Sequence, residues 1–170
     1  AEKVVYPFGY GLSYTTFDVE TVSAGVVNSN CTSEANKLYA KVRVTNTGKF
    51  SGKEVVQVYI AKPQGKLGKP AKELAAFEKT RELQPGESQL MILTWEINDM
   101  ASYDDLGKVK KSAYVLEAGS YDIYVGTSVR DVTKADYSYI LNHDVITEQL
   151  SAKLVPTSLP KRMLADGSYE

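Results

Sequence analysis

Carboxylates are the most numerous side chains in this sequence that could do chemistry, with 21 Asp and Glu among its 170 residues. Two positioned carboxyl groups can act as general acid and base, and the acid needs an apolar pocket that raises its pKa. Asp104 and Asp105 adjoin in a predicted loop, and Asp122 lies on the polar face of a predicted strand. Since no apolar pattern surrounds any of these groups, the sequence predicts no catalytic residue in this chain.

Four oxygen-bearing side chains that lie close together raise the question of a calcium site. Asn98, Asp99, Asp104 and Asp105 fall within eight residues of one another. Their spacing misses the EF-hand pattern, although oxygen ligands in a loop are what calcium prefers. We therefore interpret the segment as a solvated loop, and we expect neither a metal ion nor another cofactor.

The single cysteine and the single histidine restrict the remaining chemistry. Cys31 alone excludes an internal disulfide framework and a cysteine-based zinc site, and it is compatible with the cytoplasm without fixing the localisation. His143 precedes Asp144, as in part of a catalytic triad, but no Gly-x-Ser-x-Gly elbow accompanies them, so we expect His143 to be structural. Asn30-Cys31-Thr32 fits the N-glycosylation pattern, which matters only in a secretory pathway.

Aromatic rings could bind sugars by stacking, and the sequence offers Trp95 and two tyrosines for this role. Trp95 lies on the apolar face of a predicted strand over residues 89–97, which favours a core position. Tyr137 and Tyr139 share one face of the last predicted strand. They could form a small platform, cover the core or pack against a neighbouring domain, and the pattern does not choose among these.

The overall charge argues against some partners. Lys and Arg total 20 against 21 acids, which gives a net charge of −1. A balance so close to zero disfavours nucleic acid and anionic membranes as partners. No run of 18 or more apolar residues is present, so we expect no transmembrane helix. The first residues lack the apolar region of a signal peptide.

Runs of alternating apolar and polar residues predict seven or eight β-strands. The clearest of them cover residues 17–22, 38–46, 54–61, 89–97, 113–116, 121–126 and 136–145. Turn signals such as Pro85-Gly86 separate them, and no segment has a sustained amphipathic helical pattern. The sequence therefore predicts an all-β fold, an antiparallel β-sandwich of the immunoglobulin or fibronectin type III kind.

Three segments are less regular. Residues 73–83 have high helix propensity but fit neither the helical nor the strand period, and residues 98–111 are predicted to be a loop. After about residue 148 the pattern fades. We expect an arm over residues 1–16, a sandwich over 17–147 and a tail or linker over 148–170.

The arm crowds large apolar side chains between glycines and a proline, in the segment Tyr6-Pro-Phe-Gly-Tyr-Gly-Leu-Ser-Tyr-Thr-Thr-Phe17. Such a segment forms neither a helix nor a regular strand, and it cannot bury its rings on itself. It needs a surface to lie on, in its own sandwich or in a neighbouring domain. The candidate domain-interface residues of the arm are Tyr6, Phe8, Tyr10, Leu12 and Tyr14.

The basic loop 62–72 is a second candidate for contact with a neighbouring domain, through Lys69 and Lys72. Together with Lys62 and Lys66, these lysines are otherwise most simply interpreted as solvated charges that discourage edge-to-edge strand pairing.

The opening segment from Tyr6 to Phe17 also resembles a signature of the β-glucosidases of glycoside hydrolase family 3. Further matching motifs follow in the family's order, and the resemblance covers roughly residues 5–132. These motifs are Val44-Thr-Asn-Thr-Gly48, Gly52-Lys-Glu-Val-Val-Gln-Val-Tyr59, Lys72-Glu-Leu-Ala-Ala-Phe-Glu-Lys79, Leu83-Gln-Pro-Gly-Glu-Ser88, Gly119-Ser-Tyr-Asp-Ile-Tyr-Val-Gly126 and Ser128-Val-Arg-Asp131.

The resemblance implies a fibronectin type III-like domain cut from a larger enzyme. In that family the nucleophilic Asp belongs to a barrel domain and the acid/base Glu to an α/β sandwich domain, and neither motif is present here. The implied role is a structural module that packs against the catalytic domains of the same polypeptide, with a β-glucoside at the active-site rim as a further contact. The sugar specificity would then come from residues outside this chain.

Several alternatives stay open at this point. The second hypothesis for the function is an independent carbohydrate-binding module. A third is a cell-surface adhesion sandwich, which the single cysteine and the aromatic first segment fit poorly. Some family members have a permuted domain order, so residues 148–170 are either a linker to a barrel or a tail packed back on the sandwich. The oligomeric state is also undetermined, because an edge strand or the arm could pair with a second copy.

Overall fold

The computed structural model describes residues 4–27, 36–154, 161, 163–164 and 166–169. In these residues the chain forms ten β-strands and two short 3-10 turns, Asn98–Met100 and Ala152–Leu154. The strands are β1 (Phe17–Val26), β2 (Lys37–Asn46), β3 (Val55–Ala61), β4 (Glu73–Lys79), β5 (Ser88–Glu96), β6 (Ser102–Asp104), β7 (Ala113–Leu116), β8 (Gly119–Gly126), β9 (Val132–Leu141) and β10 (Val145–Gln149). None of the helical segments among the described residues is long and apolar enough to cross a membrane.

Two antiparallel sheets face each other across one core. One sheet has the strand order β1-β2-β5 and the other has the order β4-β3-β8-β9. Alternate residues of each central strand point inward, as the period of two requires. The main buried side chains are Leu38, Ala40, Val42, Val44, Met91, Leu93 and Trp95 from the first sheet and Val56, Val58, Ile60, Tyr121, Ile123 and Val125 from the second. The predicted antiparallel β-sandwich is confirmed.

A third, smaller sheet with the order β10-β7-β6 adjoins the sandwich. It has its own small apolar cluster, in which Leu67 packs with Ala113 and Val115. Leu67 comes from the basic loop 62–72 and is 1% exposed. This loop therefore joins the four-stranded sheet to the third sheet.

The ambiguous segment 73–83 begins with a strand and not with a helix. Its first part is β4, which pairs antiparallel with β3. The register shifts between Val58 and Tyr59, so Ala76 lies opposite Val58 while Leu74 lies opposite Tyr59. This bulge explains why the side chains of the segment do not alternate cleanly in the sequence. Pairing with β3 outweighs the modest helix propensity of the segment.

Two boundaries near the third sheet also differ from the sequence-based expectation. The predicted strand over 136–145 is two strands, because the chain turns at residues 142–144 and passes from β9 in one sheet to β10 in another. The predicted loop 98–111 contains a 3-10 turn and the short strand β6. Local alternation cannot reveal a change of sheet, since both strands keep the same period.

The turn that follows β6 is organised by one buried carboxylate. Asp104 is 0% exposed, and it accepts hydrogen bonds from four consecutive backbone N–H groups. The donors are Gly107 at 2.7 Å, Lys108 at 3.0 Å, Val109 at 2.7 Å and Lys110 at 2.8 Å. Burial alone would raise the pKa of Asp104, but these four hydrogen bonds outweigh it and hold the pKa below the ordinary 3.8.

We predict that Asp104→Asn lowers the free energy of unfolding at pH 7 by about 3 kcal/mol, since an amide leaves some of these buried donors unmet. A carboxyl group with a depressed folded-state pKa stabilises the fold above its unfolded pKa, and this contribution is lost as the pH falls through the folded value. The difference between wild type and variant should therefore shrink below about pH 4. Urea unfolding between pH 3 and pH 7 measures it, and a difference independent of pH would contradict the assignment.

Candidate interaction surface

The aromatic arm, residues 4–16, lies against the outer face of the four-stranded sheet. On β3, Val56, Val58 and Ile60 point into the core, so Gln57 and Tyr59 point to the opposite face. Gln57 is nevertheless only 6% exposed and Tyr59 only 1% exposed. The arm is part of what covers them: the rings of Phe8 and Tyr59 meet edge to face, with centroids 6.5 Å apart.

The first anchor of the arm is the side-chain amide of Gln57. Its Nε2 donates to the carbonyl oxygen of Gly9 at 3.0 Å and to that of Thr127 at 2.6 Å. Its Oε1 accepts a hydrogen bond from the Tyr59 hydroxyl, whose pKa is raised by burial. The backbone N–H of Val129 also donates to the Phe8 carbonyl at 3.0 Å. One buried amide thus binds the arm, the strand and the loop after β8 together.

The second anchor is Asn46, which is fully buried at the end of β2. Its Oδ1 accepts hydrogen bonds from the Thr15 hydroxyl at 2.8 Å and from the Gly48 N–H at 3.0 Å. Its Nδ2 donates to the carbonyls of Phe50 and Leu83, both at 2.8 Å. Because a buried amide without partners is costly, this fully bonded arrangement fixes where the arm enters β1.

Before and between these two anchors the arm presents large apolar side chains to solvent. Their exposed fractions are 71% for Tyr6, 64% for Phe8, 46% for Tyr10, 89% for Leu12 and 97% for Tyr14. The rings of Tyr6 and Tyr10 stack at 5.6 Å, which orders them without covering them. All five candidate residues therefore belong to one continuous segment with much exposed apolar area.

A cleft of about 560 Å³ runs between the arm and the sandwich. Arm residues 9–13 form one wall, and residues 53–55 with Lys79 and Asp131 contribute to the other. Glu54 lies in this wall, and its pKa is raised chiefly by burial. The lining thus mixes the backbone of the arm with charged groups.

The same sheet face carries further exposed or partly exposed rings. Phe77 on β4 lies opposite Gln57 and is 68% exposed. Tyr124 on β8 lies opposite Tyr59, and the Lys72 ammonium sits 4.6 Å from the centroid of its ring. Lys72 is therefore held on the outer face of this sheet by a cation–π contact.

Lys69, by contrast, is not a solvated lysine. Its side chain is 1% exposed and forms an ion pair with Glu117, whose side chain is 3% exposed. Lys62 is also buried, and its ammonium contacts Glu73 at 2.5 Å. The interpretation of these two lysines as solvated charges is wrong, because Lys69 reaches Glu117 in the turn before β8 and Lys62 reaches Glu73 at the start of β4. The Lys69 side chain is enclosed within this chain.

The other candidate groups have contacts within the chain. Asp122 has a lowered pKa, first because of hydrogen bonding from Lys134 and then from Ser138 and Ser120. Asp144 accepts a hydrogen bond from the Ala118 N–H at 2.8 Å, and its neighbour His143 is exposed. In the part of the chain that the structure describes, no group of three or more His, Cys, Asp or Glu side chains could hold a metal ion. The Asn30-Cys31-Thr32 pattern lies outside the described residues.

The three aromatic residues considered for sugar stacking lie in the main core or pack against it. Trp95 is 5% exposed and belongs to the main core, as predicted. Tyr137 and Tyr139 are half-buried and pack against that core, and the Tyr139 ring meets Tyr121 at 6.1 Å. Of the three alternatives left open for the tyrosine pair, the structure supports the one in which they cover the core.

Sequence reasoning missed Gln57, Asn46 and Glu117, which hold the irregular segments. Each is a polar residue inside or beside a strand, where a partner is decided only by the tertiary fold. A weak signal was available for Gln57, which stands between valines in the run EVVQVYIA. A polar residue in such an apolar run is buried only when it finds partners.

We predict that Gly9→Ala detaches the arm, because a Cβ at Gly9 would lie 2.0 Å from Gln57 Oε1. Gly9 also has a φ of +78°, which costs a residue with a side chain roughly 1–2 kcal/mol. The Val129 amide should exchange with solvent about tenfold faster, since it donates to Phe8. Gly11→Ala is the matched control, as nothing lies within 4 Å of its added Cβ. Equal exchange in the two variants would contradict this account of the arm.

Comparison with known proteins agrees with this architecture. The profile of the fibronectin type III-like domain matches residues 54–129. β-Glucosidase A of Butyrivibrio fibrisolvens is 58% identical, over 99% of this chain and 21% of that protein. The β-glucosidase of Ruminococcus albus is 42% identical, over 99% of this chain and 17% of that protein. The crystal structure of a β-glucosidase from Paenibacillus barengoltzii superposes with a TM-score of 0.84 at 44% identity, over 99% of this chain and 19% of that one.

The chain thus spans only about a fifth of the length of the β-glucosidases that it matches. The profile match is consistent with the observed sandwich, and the similarity extends along nearly the whole chain. Residues 54–129 thus match the fibronectin type III-like domain, and the chain is similar along nearly its whole length to one segment of these β-glucosidases.

Proposed function

We propose that this chain is a non-catalytic structural module of a β-glucosidase-type glycoside hydrolase. In this proposal it packs against the catalytic domains of the same polypeptide, stabilises them and helps to shape the rim of the active site where a β-glucoside binds. Residues 1–16 are the connecting arm, 17–147 the sandwich and 148–170 a tail or linker. The observation that carries the proposal is an arm fixed at two points that leaves its rings exposed.

The proposal is supported by the fact that the arm is held in place by hydrogen bonds while its large apolar side chains remain exposed. Gln57 donates to the Gly9 carbonyl and Asn46 accepts from the Thr15 hydroxyl, but Leu12 and Tyr14 remain 89% and 97% exposed. A segment that had evolved only to cover its own sheet would turn these side chains inward. Exposed apolar area on a fixed backbone favours association, because little conformational entropy is lost when a partner covers it.

The size of the effect follows from the exposed area. Covering one such side chain contributes about 1.5–3 kcal/mol, so two or three of them are enough to influence the stability of a neighbouring domain. The catalytic carboxylates would then come from outside this chain. Both bacterial relatives named above are β-glucosidases, and they are about five and about six times as long as the matched segment.

We expect Tyr10→Ser with Tyr14→Ser, made in the β-glucosidase that contains this chain, to lower its thermal stability and its kcat/KM. The two rings would no longer cover the adjoining domain, at a cost of roughly 3 kcal/mol. Ile92→Ser is the matched control, because Ile92 is 59% exposed on the outer face of the opposite sheet. Thermal unfolding and p-nitrophenyl β-glucoside hydrolysis measure the two effects. An unchanged double variant would contradict the proposal.

A complementation assay tests the absence of chemistry in the chain itself. The purified 170-residue chain should not hydrolyse p-nitrophenyl β-glucoside. It should raise the activity of separately produced catalytic domains when the two are mixed. Turnover by the chain alone, retained through repurification, would place a catalytic pair inside it and overturn the proposal.

A further inference from the structure

The basic loop 62–72 looks mobile in sequence but is held tightly in the fold. It contains two prolines and two glycines, and it carries four lysines. Leu67 in its centre is buried in the small cluster with Ala113 and Val115. On the opposite side, the ring of Pro63 lies so close to Gly119 that a Cβ there would be 2.6 Å from it. The loop therefore packs against β7 through Leu67 and against the start of β8 through Pro63.

One carboxylate receives the main chain of this loop. Glu117 Oε1 accepts a hydrogen bond from the Lys66 N–H at 2.5 Å, and Oε2 accepts one from the Leu67 N–H at 3.1 Å. A Cβ at Gly65 would lie 2.5 Å from Glu117 Oε1, so a glycine is required for this approach. Glu117 thus binds the backbone at the tip of the loop.

The Lys69 ammonium completes the arrangement. It pairs with Glu117 Oε2 and also donates to the carbonyls of Pro63 at 2.8 Å and Leu67 at 3.3 Å. An ammonium group has three donors, and here each has an acceptor. A buried ion pair stabilises a fold only when such additional hydrogen bonds are present, and it then selects one geometry. The clamp, defined as Glu117 with Lys69, closes the loop upon itself and on the turn before β8.

One of the four lysines of the loop faces outward. Lys62 contacts Glu73, Lys69 contacts Glu117 and Lys72 lies over the Tyr124 ring. Lys66 alone among the four keeps most of its side chain in solvent, 62% exposed, with Asp144 Oδ2 at 3.6 Å. An exposed pair at that distance contributes little, so the Lys66 ammonium remains available to a stronger partner.

We propose that the clamp fixes loop 62–72 in its contact conformation before any partner binds, and that Lys66 is the residue of the loop that meets a carboxylate of the adjoining domain. The inference rests on the proposed function for the identity of that partner, but the clamp itself does not. Glu117 and Lys69 are positioning residues, since neither side chain reaches the surface. The loop contact is assigned to Lys66 in place of Lys69.

Hydrogen exchange tests the clamp in this chain by itself. Glu117→Gln should speed exchange of the Lys66 and Leu67 amides at least about tenfold, because the carboxylate that accepts both is lost. The double variant Glu117→Leu with Lys69→Met should recover thermal stability relative to Glu117→Gln, since no unpaired charge stays buried. It should still leave both amides fast. Slow exchange of these amides in the double variant would overturn the clamp as a positioning device.

Charge reversal tests the outward residue, in the mixing assay with separately produced catalytic domains. Lys66→Glu should weaken association about tenfold, through repulsion between like charges. Lys49→Glu is the matched control, because Lys49 is an exposed lysine on the turn after β2. Equal effects of the two variants would overturn the role of Lys66. If Tyr10→Ser with Tyr14→Ser weakened association while Lys66→Glu did not, the role of Lys66 would fail and the proposed function would stand. If neither variant weakened association, the role of Lys66 and the proposed function would both fail.

Discussion

The placement of the arm depends on the buried amide of Gln57. A strand residue that points away from the core would normally meet water, yet this amide is enclosed by the arm and bound to the Gly9 carbonyl. The arm has no ladder of its own to satisfy its backbone, because its proline and glycines prevent regular pairing. Gln57 supplies the missing donor. Together with the Val129 N–H, which donates to Phe8, it keeps the Tyr6 and Tyr10 rings on this face of the sheet.

The same solution recurs at three other places in the fold. Asn46 binds the turn after β2, Asp104 binds the turn after β6, and Glu117 binds the basic loop. In each case a buried polar side chain accepts or donates to main-chain groups that no strand could satisfy. Most buried polar groups in proteins are hydrogen-bonded because an unpaired one is costly, and the bonds of these four anchors therefore favour one local conformation. The irregular segments are thereby held by specific hydrogen bonds to the rest of the fold.

The apolar core and the buried polar anchors determine different features of the chain. The apolar core between the two sheets is enough to specify the sandwich, whereas the buried polar anchors specify what the sandwich presents. The arm exposes Leu12 and Tyr14, and the loop exposes Lys66. Both surfaces are held from behind by residues that are more than nine-tenths buried, and these anchors come from distant parts of the chain.

The sequence by itself determined the β-sandwich, the core position of Trp95 and the aromatic arm, because alternation at a period of two and turn residues are local signals. It also carried the family resemblance. Tertiary structure decided the strand β4, the split between β9 and β10, and the burial of Lys69 against Glu117. Each of these three features depends on a partner that is distant in the sequence. Lys69 and Glu117, for example, are 48 residues apart. From the sequence alone a charged side chain is predicted to be solvated. Its burial requires a partner that the tertiary structure supplies, since only pairing offsets the cost of burying the charge.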